Sequence, residues 1–151
     1  MGSKYDDLIR FIPAIQDEDF GKWIIDHEND GTPEHPKQFP FVNYSTCVRE
    51  LEHAIYEFDK NNPDMGIHNY GAILEENGIE WGIRSMEAAD VSKLDATVIL
   101  ALLLGAVRAE RFCDGALLSF LESGAVLRWL ERLKEIEEQE CLYDMLMETI
   151  T

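Results

Sequence analysis

Apolar residues along this chain recur mostly at helical intervals, and the spacing predicts a string of helices. Leu8, Ile9, Phe11, Ile12 and Ile15 keep that rhythm until Pro13, which removes a backbone donor, disturbs it. Phe20, Trp23, Ile24 and Ile25 resume it at similar intervals, so two short helices are expected here. Across 27–44 the pattern lapses into Asn, Asp, Gly and Thr with Pro33, Pro36 and Pro40, which predicts a long loop. Ser45 has the chemistry of an N-cap for a helix to about Phe58, with Val48, Leu51, Ala54, Ile55 and Phe58 as its buried stripe. Asn61, Asn62 and Pro63 then stop it. Another short helix is expected over 67–77, ended by Gly78 in a left-handed conformation, with Ile79 and Trp81 returning to the core.

The second half is more strongly patterned. Asp95 is placed to cap a helix whose interior, 98–104, is apolar on every side; a helix without a polar face belongs at the centre of a fold. Arg108 and Arg111 fall in its last turn, where the macrodipole is negative. Asp114-Gly115 and Ser123-Gly124 each precede apolar residues and look like helix starts, with Asp114 and Ser123 as caps. The second of these helices has Val126, Trp129, Leu130, Leu133 and Ile136 on one stripe. Leu142, Met145 and Leu146 make a short amphipathic tail over 140–151, expected to dock on its own domain. The pattern thus predicts an all-α single domain over 1–151. It is a compact bundle of about six or seven helices with the 95–111 helix buried at its centre and the 123–138 helix packed across it.

Composition changes this picture in one respect. Thirteen Lys and Arg stand against 30 Asp and Glu, a net charge of −17, with no cluster of basic residues. Such a chain repels nucleic acid and anionic membrane and favours basic protein partners. Cys47, Cys113 and Cys141 are odd in number and unevenly spaced, fitting reduced thiols and a cytoplasmic location rather than a disulfide framework. No signal peptide is expected. Asp6 stands where a myristoylation signal beginning at Gly2 needs Ser or Thr.

Familiar catalytic motifs are missing: there is no phosphate-cradling Gly-rich loop, no G-x-G-x-x-G, no nucleophile elbow and no H-E-x-x-H. Glu50 and His53 have the Glu-x-x-His spacing of helical di-metal sites, in a single copy and on the polar face of their helix. His27, Glu28, Asp30, Glu34 and His35 put metal-binding atoms in the long loop without a recognised spacing, so neither metal nor cofactor is expected. The densest chemistry lies in Arg108-Ala109-Glu110-Arg111-Phe112-Cys113-Asp114-Gly115. Arg108 and Arg111 share a helical face and offer forked donors to a phosphate or carboxylate, and the following helix start adds amides. Cys113 beside arginines meets one condition for a reactive thiolate, and Glu110 or Asp114 is available for proton transfer. In the competing scaffold reading the arginines pair with nearby acids, Phe112 fills the core and Asp114 is a cap.

This segment, continued by Glu122-Ser123-Gly124 and by Leu127-Arg128-Trp129-Leu130-Glu131-Arg132-Leu133, resembles a family of small bacterial or phage proteins of unknown function. Their signature is an Arg-x-Glu-Arg-Phe-Cys-Asp-Gly string followed by a Leu-rich basic helix. The resemblance is specific over about 95–135, looser around Phe41 to Ser45, and weak in the first forty residues and the tail. It implies a compact helical domain and brings no activity. Three functions stay open: an acidic, non-enzymatic interaction protein with a basic partner; a small-anion binder or enzyme at 108–115; and a homo-oligomer that buries the tail.

Overall fold

The computed structural model describes residues 4–17, 19–37 and 39–150, Ile150 by its backbone alone; Gly2 and the last tail residue, Thr151, lie outside the described residues. In chain order the elements are α1 (Asp6–Ile9), α2 (Ile12–Gln16), β1 (Gly21–Ile24), β2 (Phe41–Tyr44), α3 (Thr46–Asn61), α4 (Tyr70–Glu76), α5 (Ile83–Ala88), α6 (Ala96–Ala109), α7 (Ala116–Glu122) and α8 (Ala125–Ile150). Short 3₁₀ turns at Pro63–Met65, Ile67–Asn69 and Val91–Lys93 link them.

The fold is mostly helical, but not purely so. The stretch around Trp23, expected as a helix, is strand β1, paired antiparallel with β2 in the register Gly21↔Tyr44, Lys22↔Asn43, Trp23↔Val42, Ile24↔Phe41. A short apolar run cannot be assigned by periodicity alone, and this one is rich in the aromatic and β-branched residues that favour a pleated surface. The end of the expected loop, Phe41–Tyr44, supplies its partner. Alternation directs Trp23, Val42 and Tyr44 towards the body and leaves Ile24 and Phe41 on the outer face. The intervening loop satisfies its own polar groups: the Asp26 carboxylate accepts from the amides of Glu28 and Asn29, and that of Asp30 from Thr32.

Helix α6 lies at the centre as its composition dictates, buried from Ala96 through Val107, Thr97 apart. Asp95 caps it, accepting from the Val98 amide at 3.0 Å. Helix α3 is capped by Ser45 and buries Val48, Leu51, Ile55 and Phe58 against the same core. Trp129 of α8 is fully buried, with its ring 5.5 Å from that of Phe120 in α7. Two arginines tie α8 to the segment before α6: Arg128 donates to the Glu87 carbonyl in α5 at 2.8 Å and Arg132 to the Leu94 carbonyl in the following loop at 3.2 Å. On the other side of α6, the Trp81 indole N–H donates to the Gly105 carbonyl at 3.0 Å, an approach that a glycine on the facing surface permits.

Two boundaries differ from those expected. Ser123 ends α7 rather than capping α8 in the usual way, and α8 runs unbroken to Ile150 instead of stopping near residue 138. No glycine or proline interrupts it, and its Glu, Gln, Leu and Met residues are good helix formers. The tail therefore does not fold back on the body. Ile136 is its last buried residue, and Leu142, Tyr143, Met145, Leu146 and Met147 are exposed.

Candidate functional site

The charged segment after α6 forms a tight connection into α7, and Glu110 is its organising side chain. Its carboxylate accepts from the Gly115 amide at 3.0 Å and from the Leu117 amide at 3.0 Å. The Tyr44 hydroxyl, at the end of β2, donates to the same carboxylate at 2.6 Å and itself accepts from the Leu118 amide at 3.0 Å. The Ala116 amide donates to the Cys113 carbonyl at 3.1 Å. Every amide that opens α7 is thereby satisfied before its first internal hydrogen bond, from Ser119 to Gly115. Asp114, expected to be the cap, makes no side-chain cap bond; Gly115 occupies the N-cap position. A left-handed residue is needed there (φ +91°), and the side chains that satisfy the helix come instead from Glu110, the C-cap of α6, and from Tyr44. Gly115 is required for a second reason. The Trp23 indole lies directly over it, and a Cβ at this position would overlap the ring.

Around this knot the fold gathers residues that are distant in sequence. Glu52 and Tyr56, on one face of α3, and Tyr70, at the start of α4, face Arg108 and Arg111. Burial pushes the Glu52 carboxyl above the ordinary carboxylate range; the Glu110 charge adds to this, and Arg49 and Arg111 oppose it. Burial and the hydrogen bond to Glu110 hold the Tyr44 hydroxyl strongly in its neutral form. Burial raises Tyr56 also, with Glu52 contributing and Arg111 and Arg108 opposing. Hydrogen bonding to Tyr70, and the smaller influence of Tyr56, favours the charged Arg108 guanidinium despite its partial desolvation. The Arg108 Nε is buried without a partner.

Of the residues singled out by sequence, Arg108, Glu110 and Arg111 thus belong to one polar cluster. Cys113 and Asp114 project from the connecting turn and are exposed. Phe112, which the scaffold reading placed in the core, is 73% exposed and lies edge-on to Trp81, with ring centroids 5.8 Å apart. Trp81 in turn packs on Tyr70 at 5.7 Å. Tyr44, Glu52, Tyr56 and Tyr70 escaped sequence reasoning; a Tyr directly before the Ser45 cap and a Glu between two stripe positions carry no motif, and only the fold brings them here.

Chemically, the cluster has its one strong anion-binding element, the α7 amides, occupied by its own Glu110. The rim is a different matter. Trp81 and Phe112, in edge-on contact, are large exposed aromatics next in sequence to Arg111, and Trp23 is a third exposed ring on the same connection, over Gly115; these are side-chain types enriched at the centres of protein interfaces. Elsewhere, a cleft of about 590 Å³ between α1 and α3 is lined by Lys4, Arg10, Arg49, Glu50, His53 and Glu57, among others, which places the Glu50–His53 pair on an open, mixed-charge wall. Among the described residues no group of three or more His, Cys, Asp or Glu side chains is arranged to hold a metal ion, and no helix is long and apolar enough to cross a membrane.

No curated protein and no solved structure matches the chain. A family model does match, over residues 1–139, well beyond the 95–135 stretch on which the sequence resemblance was most specific and ending where α8 leaves the body. The chain belongs to a family of unknown function, DUF6508.

Proposed function

We propose that this chain is a non-enzymatic interaction protein of bacterial origin, cytoplasmic, that binds a basic protein through the aromatic rim of the α6–α7 connection. The observation behind this is the exposure of Phe112 beside Trp81. An apolar ring stands in solvent on a turn whose backbone is fixed by the Glu110 carboxylate and the left-handed Gly115. Pre-ordering of that kind reduces the entropic cost of association. The chain's net charge of −17 draws a cationic partner to the molecule and gives the encounter its salt dependence. The test is affinity isolation with the full chain from extracts of its source cells, at low and high salt, with wild type and Phe112→Asp in parallel. The expected result is a stoichiometric basic protein, released by salt and missing from the variant, whose melting point is unchanged. Absence of any stoichiometric partner at either salt concentration rejects the proposal.

A second reading, a small-anion site, draws support from the unpartnered Nε of Arg108 and from Arg111, whose positive charge acts on both Glu52 and Tyr56. A thermal-shift screen with inorganic phosphate, nucleotides and organic acids separates the two. A rise in melting point that disappears in a folded Arg111→Ala variant favours the anion site, because a specific ligand stabilises by mass action.

A further inference from the structure

The cleft between the N-terminal segment and α3 has walls that are fixed to one another. The Tyr5 ring packs on that of Phe58 at 6.0 Å, and Leu8 beside it is fully buried. On α3 the lining face runs from Thr46 through Glu50, His53 and Glu57 to Asn61, a row at helical spacing that points away from the buried stripe, with Arg49 at its edge. Two guanidiniums line the cleft and take their orientation from uncharged partners. Arg49 donates to the Asn43 Oδ1 at 2.9 Å. The Arg10 Nε donates to the Asp7 carbonyl at 3.3 Å, while its guanidinium stacks on the Phe11 ring, 4.6 Å from the centroid. Among the described residues neither is ion-paired, in a chain with more than two acids for every base. Held in place but not neutralised, they keep their forked donors for a carboxylate. Glu50 and Glu57 line the same cleft, and Lys4 and Asp7 on the facing wall add one charge of each sign, so that cations and acids balance.

We propose that this cleft binds a short peptide by its free ends, the terminal carboxylate on Arg10 and Arg49 and the terminal ammonium on Glu57. The balance of charge selects a zwitterion. A purely anionic ligand is repelled by a molecule of net charge −17 and meets the cleft's acids, whereas a purely cationic one meets its arginines. Spacing selects the length. Arg49 and Glu57 lie about 12 Å apart along α3, at about 1.5 Å per residue. That is the span of about three or four residues of extended chain, at about 3.3 Å each. Thr46, His53 and Asn61, on the same row, offer hydrogen-bond partners to the peptide backbone. The volume of about 590 Å³ falls within the range of small-molecule sites, about 300–1,000 Å³. None of these residues belongs to the α6–α7 connection, so the site is independent of the reading proposed there.

Isothermal titration calorimetry of the full chain with tetra-alanine tests this, beside its N-acetylated and C-amidated forms, free alanine and inorganic phosphate. The free-ended tetrapeptide should bind, and blocking either end should weaken binding at least about tenfold, the loss of one charge-assisted contact. Alanine, too short to span the two charges, should bind at least about tenfold more weakly as well. Arg49→Gln should remove the preference for a free carboxylate and Glu57→Gln that for a free ammonium, whereas Arg111→Ala and Phe112→Asp leave both intact. Three results overturn the proposal: no heat with tetra-alanine at millimolar concentration, equal affinity for the blocked peptides, or phosphate binding as tightly as the peptide. The wild-type peptide series decides this even where a variant fails to fold.

Discussion

Glu110 does for α7 what a cap residue normally does from the position immediately before a helix. The difference is that it acts from the C-cap of the preceding helix, five residues before Gly115, and binds β2 at the same time. Replacing it with alanine leaves the Gly115 and Leu117 amides and the Tyr44 hydroxyl without their acceptor. The loss should be about 2–4 kcal/mol, since the bonds are made to a charged group and partly buried donors are orphaned. Thermal denaturation should register it as a fall of roughly 5–15 °C. Gly115→Ala should cost about 1–3 kcal/mol by forcing an alanine into left-handed backbone and against Trp23, and Trp fluorescence should shift with it. Glu52 gives a pH signature. Its folded-state pKa lies above the unfolded value, so the native state binds the proton more tightly. Stability is greatest below the ordinary carboxylate pKa and declines as pH rises through the raised one. Glu52→Gln should therefore stabilise the fold at neutral pH by less than about 1 kcal/mol after solvent screening, seen as a slightly higher melting point, and leave it unchanged in acid. The sequence displays Arg108, Glu110 and Arg111 as a dense charged string. It does not display the site's other half, because Tyr44 and Glu110 are 66 residues apart and share no motif.

At the scale of elements, legibility follows the length of the pattern. Helices α3 and α6 announce themselves by a cap followed by a buried stripe in α3 and by an unbroken apolar run in α6: Ser45 and Asp95 accept the bonds their positions predict. Asp95→Ala should cost about 1 kcal/mol, measurable as a lower denaturation midpoint at constant m-value. Strands β1 and β2, of four residues each, are too short for their period to separate from a helical one, and their pairing crosses a loop that contains three prolines. The length of α8 was hidden for another reason. Its apolar row moves to the opposite face after Ile136, so that two amphipathic segments resemble a helix and a separate tail, although nothing in the sequence stops the helix between them.

At the scale of the whole molecule, net charge acts on stability as well as on partners. With −17 spread over a single small body, self-repulsion opposes compactness, and its screening should raise the melting point by a few degrees, on the order of 2–5 °C, between low and moderate salt. Calorimetry at two salt concentrations checks this; a melting point indifferent to salt would mean that local ion pairing already neutralises the field. The order in which the parts come together has a further consequence. The inner face of the β1–β2 ribbon is completed from far along the chain: Trp23 rests on Gly115, and Tyr44 reaches Glu110 and Leu118, the last contact spanning 74 residues. During synthesis the ribbon leaves the ribosome long before its cover exists. Until α7 emerges, Trp23 and Tyr44 lack the partners that the folded chain gives them, and a chain interrupted before residue 118 should expose the inner face of the ribbon to aggregation.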